Sequence, residues 1–107
     1  MDSSNNVIGK WTTPSITYKP SKVEMADVAE IYVTVSQGGK DILELDKAAA
    51  TITEDGFIWL LSQEQTSKLS VSQMAHIQVD YLTDAGKRYT TNPVRFVVVN
   101  SAVEEVI

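Results

Sequence analysis

The sequence predicts an all-β fold: an antiparallel β-sandwich of six to seven strands with one short helical turn. Three observations predict it. Short segments alternate with a period of two, as where Ile31, Val33 and Val35 interleave with Tyr32, Thr34 and Ser36. Turn signals of the Gly-Gly, Asp-Gly and Asn-Pro kind separate those segments at near-regular spacing. No helical period is long enough for the crossover that parallel strands need. With 107 residues, 43% hydrophobic and 21% charged, the chain has the material for one core and one domain. The reading divides it into an N-terminal arm over 1–11, a sandwich over 12–99 and an acidic, partly apolar tail over 100–107.

The elements follow in chain order. The arm carries Ser3, Ser4, Asn5, Asn6 and Gly9 and shows no period. In Thr12 to Pro20, Ile16 and Tyr18 sit two apart between prolines; proline cannot donate to a ladder, so this segment is an edge strand or a strand with free ends. Residues 29–36 are the clearest strand. Gln37-Gly38-Gly39-Lys40 supplies a tight turn, and Asp41 to Asp46 returns, giving a hairpin over 29–46. Lys47 to Ala50 begins like a helix, but Thr51-Ile52-Thr53 opposes it within a turn. Glu54-Asp55-Gly56 and the apolar run Phe57 to Leu61 then make a second hairpin over 50–61. Ser62 and Gln65 have the spacing of a capping box, which predicts one or two helical turns over 63–69 with Leu61 and Leu69 facing the core. Residues 75–83 alternate again, Thr83 to Lys87 form a hairpin-type loop, and a last strand over 88–99 is broken at Asn92-Pro93.

Composition excludes several kinds of chemistry. Without cysteine there is no disulfide framework, thiol nucleophile or thiolate zinc site. The single histidine, His76, lies on the Gln78/Asp80 side of its strand and has no nucleophile elbow to serve, so it reads as a surface residue. Nine basic against fourteen acidic residues, a net charge of −5, argue against nucleic acid. No apolar run approaches the roughly 20 residues that span a bilayer, so no membrane partner is expected. Met1 to Lys10 lacks the pattern of a secretory signal, which places synthesis in a cytoplasm. Asp41, Glu44, Asp46, Glu54 and Asp55 fall on turns and outward strand positions, without calcium-loop spacing, and no phosphate-binding glycine motif is present. The expectation is a protein that is not an enzyme, with no catalytic residue, metal or cofactor.

Two surfaces remain. Alternation assigns Tyr18, Trp59 and Tyr81 to the core and leaves Trp11, Tyr32 and Tyr89 outside, where they are candidate glycan-contact residues of an adhesion module. The ends carry Val7, Ile8 and Trp11 before the sandwich and Val103, Val106 and Ile107 after it. Unpaired apolar termini find a sheet edge or groove, so Val7, Ile8, Trp11, Val106 and Ile107 are the candidate protein-contact residues.

The segments KWTTPSITYKP, AEIYVTVSQGGKDILELD, LSQEQTSKL and AHIQVDYLTDAGKRYTTNPV, with the final Val106-Ile107, together resemble a family of small prophage proteins of Firmicutes, chiefly gut Clostridia. The resemblance covers about residues 11–107. That family is similar to the N-terminal immunoglobulin-like domain of phage upper baseplate proteins, which anchors a receptor-binding apparatus to the tail. It implies an immunoglobulin-like sandwich, a tail or baseplate role, homo-oligomerisation, contact with other phage structural proteins, and presence in the virion after assembly in the host cytoplasm. The chain departs from the family in stopping after one domain and in carrying the arm, which leaves a small tail accessory or assembly factor open.

Overall fold

In the computed structural model, which describes residues 6–107, the alternating segments become two facing sheets. The strands are β1 (Val7–Gly9), β2 (Ser15–Tyr18), β3 (Val28–Gln37), β4 (Lys40–Leu45), β5 (Thr51–Thr53), β6 (Gly56–Leu60), β7 (Ala75–Thr83), β8 (Arg88–Thr90) and β9 (Val94–Val99). One short helix, α1 (Gln63–Ser67), links β6 to β7, and single 3-10 turns occupy Met25–Asp27 and Lys47–Ala49. The larger sheet runs β1-β9-β7-β3-β4 with β8 also paired to β7; the smaller runs β2-β6-β5. The smaller sheet thus has the B-E-D order of an immunoglobulin sandwich, and β9, β7, β3 and β4 the G-F-C-C′ order.

Two expectations change. The described residues hold nine strands rather than six to seven, because Val7–Gly9 of the predicted arm is a strand and the break at Asn92-Pro93 separates β8 from β9. The sandwich is also not wholly antiparallel: β1 runs parallel to β9, with Val7, Ile8 and Gly9 beside Val97, Val98 and Val99. Chain order allows this because β1 and β9 lie at opposite ends of the domain, so no tight turn has to join them. The first five residues of the predicted arm lie outside the described residues.

The centre is the antiparallel pair β3–β7, in register from Val28 opposite Thr83 to Gln37 opposite Ala75. Ile31, Val33, Val35, Ile77, Val79 and Tyr81 all point inward and are buried. Ala29 is an extra residue in that ladder and Ile42 another in the β3–β4 ladder, each a bulge that keeps the next apolar residue on the inner face. Gly38 and Gly39 have φ of 59° and 77°, the left-handed values that the β3–β4 turn demands. Gly56 is required for a different reason: at φ 131° a Cβ there would stand 2.6 Å from the Tyr18 carbonyl oxygen.

From the smaller sheet, Phe57 and Trp59 supply the bulk of the core and stack at 6.1 Å. The Trp59 indole N–H donates to the Asp46 carbonyl at 2.8 Å, so the largest buried ring has its one polar atom satisfied. The capping box forms as the sequence predicts: the Gln65 N–H donates to Ser62 Oγ at 3.1 Å and the Ser62 N–H to Gln65 Oε1 at 2.9 Å. It sets α1 so that Leu61 and Leu69 are buried and the Thr66 hydroxyl donates to the Thr12 carbonyl at 2.9 Å.

At the end of β3, Gln37 is a buried polar residue used as a clamp. Its Nε2 donates to the carbonyls of Ser70 (2.7 Å) and Gln73 (3.0 Å), and its Oε1 accepts from the Ser70 N–H (2.8 Å). This one side chain holds the loop that leads into β7. Gln37→Ala strands those backbone groups, and the expected cost is about 3 kcal/mol of unfolding free energy. A urea titration should show a lower midpoint with an unchanged slope.

Candidate interaction surface

Strand β9 is apolar on both sides, and that is the unusual local fact. In the run Val94-Arg95-Phe96-Val97-Val98-Val99, Phe96 and Val98 turn toward the core, Val98 being 3% exposed. Val97 and Val99 stand on the opposite side at 39% and 41% exposure. Directly paired residues in a ladder share a side, so the parallel pairing of β1 adds Val7, 49% exposed, to the outer row. The result is a valine strip along the last two strands of the larger sheet. β1 is that sheet's edge, and no described strand pairs with its far side.

Beneath the strip, the sandwich is open between β2 and β9. A cleft of about 360 Å³ lies there, with Ile8, Ile16, Tyr18, Val79, Val94 and Phe96 among its walls and no charged residue on them. The larger hollow of about 880 Å³ elsewhere is lined by residues 19–27 and 52–54 and mixes Lys19 and Lys22 with Glu24, Asp27 and Glu54. Interspersed signs of charge give it no electrostatic preference for a ligand.

At the far end of the chain, the tail folds back on α1. Gln63 Nε2 donates to the Ile107 backbone oxygen at 3.1 Å, and the Ile107 N–H donates to Gln63 Oε1 at 2.8 Å. Val106 lies in a shallow groove with Leu60, Leu61 and Glu64.

The five sequence-predicted contact residues are therefore divided. Val7 is on the valine strip; Val106 and Ile107, 53% and 84% exposed, are on the docked tail. Ile8 is corrected: at 3% exposure it packs into its own core, because its partner Val98 faces inward. Trp11 is half-buried just beyond β1, with a left-handed φ of 64°. Val97, Val99 and Gln63 were not singled out from the sequence. The signal for the valines was present in three consecutive valines at the end of a strand, which must put apolar side chains on both faces.

Among the candidate glycan-contact residues, Tyr89 is also corrected. It stands opposite Tyr81 in the β7–β8 ladder and stacks on it at 5.1 Å, so it shares the inner face and is half-buried. Tyr32 stands opposite Asp80, on the outer face, and its hydroxyl donates to Glu30 Oε1 at 2.9 Å. Asp80 and Tyr81 are adjacent in one strand, so Tyr32 and Tyr89 occupy opposite faces of the sheet. His76 is half-buried on the outer side of β7, opposite Ser36 and Arg95. Among the described residues no three His, Asp or Glu side chains gather where they would hold a metal ion. No described helix is long and apolar enough to cross a membrane.

The fold and this surface define a small immunoglobulin-like β-sandwich with an apolar outer strip and a docked tail. The chain matches no protein-family model, no curated protein and no solved structure.

Tyr18, Tyr81 and Tyr89 form a row of rings, Tyr18 lying 5.9 Å from Tyr81. Burial, and then the neighbouring Tyr18, hold the Tyr81 phenol above its ordinary value of 10.0. A group whose folded pKa is raised contributes stability that is complete below its unfolded pKa and is lost as pH climbs through the folded one. Unfolding free energy should thus fall above about pH 10. Tyr81→Phe, which removes the titrating hydroxyl, should flatten that fall in chemical denaturation measured from pH 8 to 11.

Proposed function

We propose that the chain is a non-enzymatic structural or assembly module of a phage or prophage tail, working by protein–protein contact and self-association. The single observation that carries this reading is the valine strip of Val7, Val97 and Val99 beside the edge of β1, which no strand among the described residues covers. Sheet edges and exposed apolar rows bind other chains, and soluble domains ordinarily blunt them with charge or proline. Here β1 offers Val7-Ile8-Gly9, without either. The resemblance to baseplate immunoglobulin-like domains points the same way and supplies the setting: synthesis in a bacterial host, then incorporation in a virion among other phage structural proteins. Glycan binding by stacked aromatics would need rings on one face, whereas Tyr32 and Tyr89 stand on opposite faces.

Three valines cover far less than the roughly 800 Å² per partner of a standard interface. Self-association by this strip alone is weak, and it becomes specific through repetition in a closed ring or through further contacts. Light scattering on size-exclusion fractions over a hundredfold concentration range tests the proposal. A discrete closed oligomer is expected, and the double variant Val97→Lys/Val99→Lys should return it to a monomer. Because both side chains are exposed, the variant's unfolding free energy should stay within about 1 kcal/mol of the unaltered chain. A monomer at every concentration would overturn the reading.

A further inference from the structure

The tail's docking groove has the form of a peptide site. Gln63 uses both halves of its side-chain amide on the N–H and oxygen of one residue, Ile107, as a neighbouring strand residue would. Val106 is one wall of the shallow groove whose other walls include Thr13, Leu60, Leu61 and Glu64. What the site meets in this structure is the segment Val103-Glu104-Glu105-Val106-Ile107, held at Ile107 through its main chain.

That occupant is lightly held. Among the described residues, the hydrogen bonds from the tail to the body are the two at Gln63. No strand forms over 100–107. Val103, Val106 and Ile107 remain 43%, 53% and 84% exposed, and Leu60, which lines the groove with Val106, remains 70% exposed. Eight residues follow the end of β9, and fully extended they reach about 28 Å. The two short dimensions of the domain are 27 and 26 Å. The segment can thus clasp a Gln63 that lies within about 28 Å of the end of β9, on its own copy or on a neighbour.

We propose that the groove formed by Thr13, Leu60, Leu61, Gln63 and Glu64 is an exchange site, which takes the segment Val103–Ile107 from a second copy of this chain when copies assemble. The proposal rests on the self-association reading above. Bonds made at home and bonds made to a neighbour are the same bonds, so contact energy does not choose between them. Local concentration does. A tethered segment sees its own groove at an effective concentration of the order of millimolar, so a free chain closes on itself. Copies already held side by side by the valine strip meet one another at comparable concentration, and exchange then links each copy to the next. A head-to-tail contact of this kind closes rings when its rotation permits.

The natural sequence has no cysteine, which makes disulfide trapping clean. Full-length chains carrying Glu64→Cys are mixed with mass-labelled full-length chains carrying Val106→Cys and oxidised, and the products are read by intact mass. The double variant Glu64→Cys/Val106→Cys reports closure within one copy, and light scattering reports assembly in parallel. The expected result is a cross-link between labelled and unlabelled copies wherever the oligomer is present. Adding Gln63→Ala to both chains should lower its yield about tenfold, the effect of losing two exposed hydrogen bonds. If the oligomer forms while the only cross-link is within single copies, or while none forms, exchange is overturned and self-association stands. If every sample is monomeric, the self-association reading fails and exchange with it. An undiminished yield with Gln63→Ala would also overturn the proposal, because the clasp would then not be what holds the segment.

Discussion

The β3–β7 ladder is the constraint on which the rest of this molecule depends. Nearly the whole of both strands is paired, and each inward residue from Ile31 to Val35 and from Ala75 to Tyr81 is buried and apolar. A slip of one residue would exchange that row for Tyr32, Thr34, His76, Gln78 and Asp80, placing polar groups in the core and valines in water. The register is therefore set by burial rather than by the turn. Other strands take their places from it: β4 on one side of β3, and β8 and β9 in succession on the far side of β7. The smaller sheet is then fixed by covering the inward row with Phe57 and Trp59.

Polar groups finish what burial begins. Gln37 at one end of β3 and Lys47 at the other both reach backbone carbonyls, Lys47 donating to Val28 at 2.9 Å. Trp59 reaches Asp46, whose carboxylate accepts from the Ala49 N–H and closes the 3-10 turn after β4. Loops are thus anchored by side chains that satisfy main-chain groups otherwise left unpaired near the core. Among the described residues no buried side-chain polar atom lacks a partner. Exposed apolar side chains occur on β1, β9 and the tail, and also singly at Ile52, Leu60, Val71 and Met74. Only on β1 and β9, among the described residues, do they line up along paired strands, as Val7, Val97 and Val99.

The two apolar features differ in kind. The valine strip is rigid, built on paired strands, and offers a flat row next to an open edge. The tail groove is soft: one glutamine holds, at Ile107, a segment without regular secondary structure. A rigid patch suits recognition of a repeated neighbour, while a lightly held segment suits exchange, since ordering it costs little more on a neighbour than at home. Together they describe a module whose contacts lie on β1 and β9 of the larger sheet and, separately, on α1 and the end of β6.

Much of this was legible in the residues. Period-two alternation located β3 and β7, Gly38-Gly39 located the turn and hence the return strand β4, and Ser62 with Gln65 located α1, because each of these signals is local and is answered by neighbours a few residues away. The division of Tyr18, Trp59 and Tyr81 from Tyr32 was legible for the same reason. What sequence could not decide was pairing between segments far apart. That β1 joins β9 in parallel is settled by a contact across some ninety residues, and it alone sends Ile8 inward and Val7 outward. Likewise Tyr89 has an inner or an outer face only once its partner is known to be Tyr81, since a three-residue strand carries no period of its own. The sequence by itself determined which segments are strands and which side of the long ones is apolar. The tertiary structure decided the neighbours of the short ones, because a strand of three residues takes its face from the ladder it joins.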